Sequence, residues 1–167
     1  MKTTPEYFFH FFVLGNYYEF KSNPGDVRSG FNSVLSAAHM ADHYFYYNKK
    51  YNPDKVISFQ NIASFVKFVS QKTKLGFKDV RSIANAYKHL YTLDNPKTAI
   101  YSTVSSPGDI ETITFQNKRS DIIEIREELA EDLSISKVVY TRTDGQQINL
   151  SDTLETVILF WQDFLQV

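Results

Sequence analysis

The stretch Asp79-Val80-Arg81-Ser82-Ile83-Ala84-Asn85-Ala86-Tyr87-Lys88-His89-Leu90 decides how this chain is read. Val80, Ile83, Tyr87 and Leu90 recur at helical spacing and form one apolar stripe. Arg81, Asn85, Lys88 and His89 stand at i, i+4, i+7 and i+8 and share a polar flank. A solvated flank is ordinarily a mixture of Glu, Lys and Ala. This one combines a forked donor, an amide, an ammonium and an imidazole, the groups that hold or act on an anion. The stretch therefore predicts an amphipathic helix that turns one face to a core and offers the other as a candidate site.

Working outward toward the N-terminus, Leu75-Gly76 reads as the stop of a preceding helix, with Gly76 left-handed. That helix is expected from Asn52-Pro53 to about Lys74, with Val56, Phe59, Ile62, Ala63, Val66 and Val69 or Ser70 inward. Before it, Asp26 is placed to cap a long helix reaching about Asn48, with Phe31, Val34, Leu35, Ala38, Ala41 and Phe45 on one face. Asp42 falls on that same face and is expected to be mostly buried against Arg81 or Lys88, because a lone buried carboxylate is expensive. His39 and His43 lie on the adjoining flank. Pro5 at a first helical position starts a further helix to about Phe20, which Gly15 weakens locally. Tyr7, Phe8, Phe11, Phe12 and Leu14 leave it apolar over much of its circumference, so a homodimer is expected.

Toward the C-terminus the pattern changes. Ala99–Val104 and Ile110–Phe115 read as one hairpin around Ser105-Ser106-Pro107-Gly108-Asp109. Ser120 is placed to cap a short helix from Asp121 to about Leu133 with an acidic outer face. Lys137–Thr143 and Gln146–Leu150 flank Asp144-Gly145, the strongest hairpin signal present. Ser151 is expected to cap a last helix carrying Leu154, Val157, Ile158, Trp161 and Leu165. The fold class is mainly α with a small antiparallel β part (α+β): a bundle of four to five helices, β-hairpins and a C-terminal helix. One domain, 1–167, is expected, with the bundle at 1–94, the hairpin region at 97–150 and the last helix at 151–167.

Composition bounds the function. With 22% charged and 43% hydrophobic residues among 167, the chain is globular rather than disordered. A net charge of -1 provides no global attraction to nucleic acid, so any RNA or nucleotide must be held by a local patch. There is no cysteine, hence no disulfide, thiolate nucleophile or thiolate metal site, which fits a reducing cytoplasm. Phe8–Leu14 is too short to span a bilayer and lacks the flanks of a signal peptide, so no membrane association is expected.

The four-helix pattern over Pro5–Tyr91, with Arg81, Asn85, Lys88 and His89 on one helix, resembles the HEPN superfamily. Arg81-Ser82-Ile83-Ala84-Asn85-Ala86-Tyr87-Lys88-His89 is also similar to an R-D-I-A-N-A-x-K-H segment of uncharacterised bacterial proteins. The resemblance implies a helical bundle from toxin or defence systems that acts as a metal-independent, dimeric ribonuclease or binds RNA or nucleotides. Other members have lost the motif and simply scaffold. Apart from the resemblance, an aromatic-rich helical domain with a basic-polar patch also reads as a non-catalytic partner-binding or antitoxin-like module. In the ribonuclease version His89 is general base or acid, Arg81 and Lys88 stabilise the transition state, and Asn85 orients. The usual Arg and His are four to six residues apart, often with Asn after the Arg. Here seven residues intervene and Ser82 follows Arg81, so the two Cα atoms stand about 12 Å apart along the axis at ~1.5 Å per residue.

Each of these residues also has a plain structural role open to it. Arg81 pairs with Asp42 or Asp79, His89 sits at a favourable helix end, and Asn85 contacts a neighbouring helix. A metal reading uses His39 and His43 at i, i+4 with Asp42 beside them. The expectation adopted is no metal and no cofactor. The expected site is a pocket between the Asp26-capped helix and the Arg81 helix, lined by His39, Asp42, His43, Arg81, Asn85, Lys88 and His89.

Overall fold

The computed structural model describes residues 3–89, 102–116 and 134–167. The expected helix at Asp121–Leu133, residues 99–101 of the expected first strand, and the end of the Arg81 helix beyond His89 lie outside them. Among the described residues, helices pack around one core and a three-stranded antiparallel sheet closes one side, as the patterning predicts.

The first helix begins as expected. Thr4 caps α1 (Pro5–Phe8) by accepting from the Tyr7 amide at 3.2 Å. A π-helical segment, Phe9–Leu14, then leads into α2 (Gly15–Ser22). The π turn ends at Gly15, the residue that weakens the helix. Asp26 caps α3 (Val27–Tyr51) by accepting from the Arg28 and Ser29 amides, and these hydrogen bonds, led by that from Arg28, hold its carboxyl below its usual range.

The next helix starts later than the sequence predicts. Pro53–Lys55 is only a 3-10 turn, and α4 is Ile62–Lys72. Asn61 and Ser64 form a reciprocal capping box, which satisfies two free amides where Asn52 makes no side-chain cap. The inward face is correspondingly Phe65, Val69 and Ser70, and Ala63 is exposed. Gly76 is not a left-handed stop either. Lys74 and Leu75 take the positive φ values, 49° and 72°, and Gly76 opens α5 (Gly76–His89) against Thr153 and Val157 of the last helix.

Among the described residues the first expected hairpin is not formed. Residues 102–106 carry no strand; they bridge α5 and the sheet through Thr103, whose amide donates to Ser82 Oγ and whose carbonyl accepts from the Thr143 amide. Pro107–Asp109 is a 3-10 turn in which Asp109 accepts from Ser105 and Ser106. β1 (Ile110–Gln116) pairs instead with β2 (Ser134–Thr141), Ile110 opposite Tyr140 and Glu111 opposite Val139. β2 and β3 (Gln147–Asn149) form the predicted hairpin, with Gly145 at φ 84° in its turn. Asn149, two residues before the expected Ser151, caps α6 (Leu150–Leu165) by accepting from the Ser151 amide.

Leu150, Leu154, Val157, Ile158 and Trp161 of α6 are buried against α3, α5 and the sheet. The loop before α3 docks on β2, where the Val138 amide donates to the Pro24 carbonyl and Gly25 lies against Ser136. A Cβ on Gly25 would come within 2.5 Å of Ser136 Cβ, so only glycine fits this approach. No described helix is long and apolar enough to cross a membrane.

Candidate functional site

α3 and α5 cross the molecule side by side and antiparallel, because Asp42 meets Arg81 at one end while Phe31 meets Tyr87 at the other. Their polar flanks leave an open cleft of about 380 Å³ between them. Its described lining is Phe31, Leu35, Ala38, His39 and Asp42 from α3, and Arg81, Ala84, Asn85, Tyr87 and Lys88 from α5. The cleft thus lies where the sequence places it and gathers five of the seven expected polar residues: His39, Asp42, Arg81, Asn85 and Lys88. It does not gather the other two. His89 is exposed at the last described turn and is absent from the described lining. His43 points to the first helix, stacked on Phe8 with ring centroids 4.6 Å apart and followed by Tyr47.

Arg81 Nη1 donates to Asp42 Oδ2 at 2.8 Å. Asp42 therefore has one of its expected partners, but it is not buried: the Arg81 and Asp42 side chains keep 31% and 35% of their exposure. Solvent screens such a pair, and its contribution to stability is far below that of a buried one. The floor between the two ends is apolar, formed by Ala38 and Ala84 with the partly exposed Leu35. At the far end the Phe31 and Tyr87 rings lie 4.0 Å apart, and burial pushes the Tyr87 hydroxyl up from its ordinary range. Asn85 and Lys88 are exposed along the α5 wall.

Arg81 is thus paired with Asp42 and not with Asp79. Asp79, on the opposite side of α5, is fully buried and belongs to a second constellation that sequence reading missed. Its Oδ2 accepts from the Tyr140 hydroxyl at 2.7 Å, from Arg142 Nε at 3.0 Å and from Arg142 Nη2. With its own proton directed to Asp79, the Tyr140 hydroxyl accepts from Thr153 Oγ1 of α6 at 2.8 Å. Burial and the adjacent Asp79 carboxylate raise the Tyr140 hydroxyl well above its ordinary range, and the bond to Asp79 raises Arg142 further. The network ties α5, β2 and α6 together and fixes the helix that carries the cleft. The available signal was the acidic residue inside the apolar stripe preceding Val80, a carboxylate that needs a cation.

His43 has a buried Nδ1 without a partner among the described residues, and burial lowers its pKa from an ordinary value of 6.5 against a smaller opposing effect of Glu6. The folded state therefore binds fewer protons than the unfolded chain as pH falls below 6.5, so stability conferred by neutral His43 is present above that pH and lost below it. Melting temperatures at pH 7.5 and 5.5 are expected to differ more in the native protein than in His43→Phe, which keeps the stack and cannot titrate. An identical pH difference in both proteins would refute this. Among the described residues no group of three or more histidines and carboxylates is placed to hold a metal ion, and His39 and His43 face different neighbours.

No family model, curated protein or solved structure matches this chain.

Proposed function

We propose that the α3–α5 cleft is a binding site for a nucleotide, free or within an RNA strand, in a HEPN-like helical domain. One observation carries this reading. One cleft is lined by the one-third-exposed Asp42–Arg81 pair, by the Phe31–Tyr87 ring pair and by Lys88, over an apolar floor. Its volume, about 380 Å³, is in the range of small-molecule sites. A flat apolar ring with polar edges suits the floor and the ion pair, and Lys88, which has no carboxylate partner among the described residues, supplies a cation for a phosphate.

Binding is favoured over catalysis because Arg81 is already engaged by Asp42 and His89 is not in the described lining. The test is calorimetric titration with mononucleotides and incubation with a mixed RNA pool lacking divalent ions. Saturable nucleotide binding that Lys88→Ala weakens about tenfold, the value of one charge-assisted contact, supports the reading. Absence of any nucleotide or RNA binding sinks it. RNA cleavage lost in both Arg81→Ala and His89→Ala would instead make the domain a metal-independent ribonuclease.

A second reading, association with another protein chain, rests on different residues. Phe11 is 66% and Phe12 46% exposed on the first helix, and Tyr18 of α2 and Tyr46 and Tyr51 of α3 are exposed as well. Exposed rings in this number favour a partner surface, and a homodimer is the commonest solution. Light scattering at micromolar concentration is expected to give twice the chain mass, and the double change Phe11→Ser, Phe12→Ser to give the monomer. A native monomer under those conditions would remove this reading.

A further inference from the structure

The Asp42–Arg81 pair does more than fill one end of the cleft. Among the described residues the two side chains meet through a single contact, Arg81 Nη1 to Asp42 Oδ2. An Arg–carboxylate pair that closes on itself is forked, with two parallel bonds. Here the second carboxylate oxygen and the remaining guanidinium donors have no further partner among the described residues, on side chains that are about one-third exposed in the cleft wall. An acceptor and a donor therefore stand side by side, facing the same space.

That arrangement sets the direction of a nucleotide. Asp42 cancels the charge of Arg81, so their end of the cleft offers a phosphate no net attraction. Lys88 has no such carboxylate among the described lining residues. It lies seven residues further along α5, about 10 Å at ~1.5 Å per residue, a span like that of a mononucleotide from base edge to phosphate. Asn85 stands between them, within reach of ribose hydroxyls. The base edge thus meets Asp42 and Arg81, and the phosphate meets Lys88.

We infer that the cleft selects guanine, with Asp42 accepting from its N1–H and N2 amine and Arg81 donating to O6. This rests on the nucleotide-binding reading above. Guanine presents two adjacent donors beside an acceptor, the complement of a carboxylate beside a guanidinium. Adenine and cytosine offer one donor, and the ring nitrogen next to it is an acceptor that meets a carboxylate unfavourably. Uracil offers a single ring N–H between two carbonyls, one of which faces the carboxylate.

The experiment compares dissociation constants of GMP, IMP, AMP, CMP and UMP for the native chain and for Asp42→Asn, an isosteric change checked by circular dichroism. GMP is expected to bind at least about tenfold tighter than AMP, CMP or UMP, the discrimination of a bidentate base contact. IMP, which lacks the N2 amine, is expected between them, and Asp42→Asn is expected to erase the GMP preference. Equal binding of all five by the native chain overturns the inference while leaving the nucleotide site in place. Binding of none overturns both. A GMP preference that persists in Asp42→Asn overturns the role of Asp42. A uridine-rich oligonucleotide with one central guanosine, run beside GMP, distinguishes the two sources: tighter binding of the oligonucleotide identifies a guanosine within a strand, and tighter binding of GMP identifies the free nucleotide.

Discussion

Replacing Asp79 with alanine is expected to destabilise the protein by about 3–5 kcal/mol, the cost of leaving a buried ionic partner uncompensated. Asp79 is inaccessible to solvent and receives Tyr140 and two Arg142 donors on one oxygen. Removing it strands a largely buried guanidinium and a buried hydroxyl whose other partner, Thr153, also lies in the interior. The Arg142 side chain retains 19% of its exposure, which lets water recover part of the loss and favours the lower half of the range. Urea unfolding measures the effect. Arg142→Met alone should also be costly, because it leaves the Asp79 charge buried with only Tyr140. The double change Asp79→Leu, Arg142→Met should lose less than the sum of the two, since apolar residues of similar volume replace a buried pair at little cost. An Asp79→Ala protein within about 1 kcal/mol of the native one, the scale of an ordinary single hydrogen bond, would show that the network contributes little. Because the network anchors α5 to β2 and α6, the same variant should also weaken any ligand of the cleft without touching it.

Trp161→Ala is expected to cost about 3–5 kcal/mol through the cavity it leaves. The indole has no solvent exposure and packs among Tyr44, Phe65, Phe77, Phe160 and Phe164, with centroid separations from 5.2 to 6.4 Å. These rings belong to α3, α4, α5 and α6, so the cavity would open where four helices converge. Trp161→Phe should cost much less. It retains an aromatic ring, and the indole Nε1–H it removes is buried without a partner among the described residues. Thermal melts of the two variants decide the matter: equal losses in both would assign the effect to something other than cavity volume.

The cleft was largely readable from one dimension because its chemistry lies on two helices. Along a helix, spacing alone puts Arg81, Asn85 and Lys88 on one flank and Asp42 on a face otherwise lined by Leu35 and Ala38. An isolated carboxylate there asks for a cation. His43 shows the limit. It sits one residue past Asp42, about 100° around the helix, and at that angle the neighbour is the first helix and Phe8 rather than α5. Asp79 shows the limit in another way. Its partners, Tyr140 on β2 and Arg142 just past the end of that strand, are more than sixty residues away, and no local pattern joins them.

By itself the sequence determined the helical bundle with a small sheet, the helix start at Pro5, the cap at Asp26, the Asp144-Gly145 turn and the inward face of the last helix. These depend on contacts between residues a few positions apart, so periodicity and capping chemistry suffice. Only the tertiary structure decided the rest. β1 chose β2 over the segment before it, because 102–106 was taken up in bridging Ser82 and Thr143. α4 began at Asn61 because a reciprocal cap there outweighed a proline at position 53. Arg81 went to Asp42 and Arg142 to Asp79, although both carboxylates were open to Arg81 in the sequence. Asp79 and Arg81 are two residues apart on α5 and point to different sides of the helix, so each meets only the element packed on its own side.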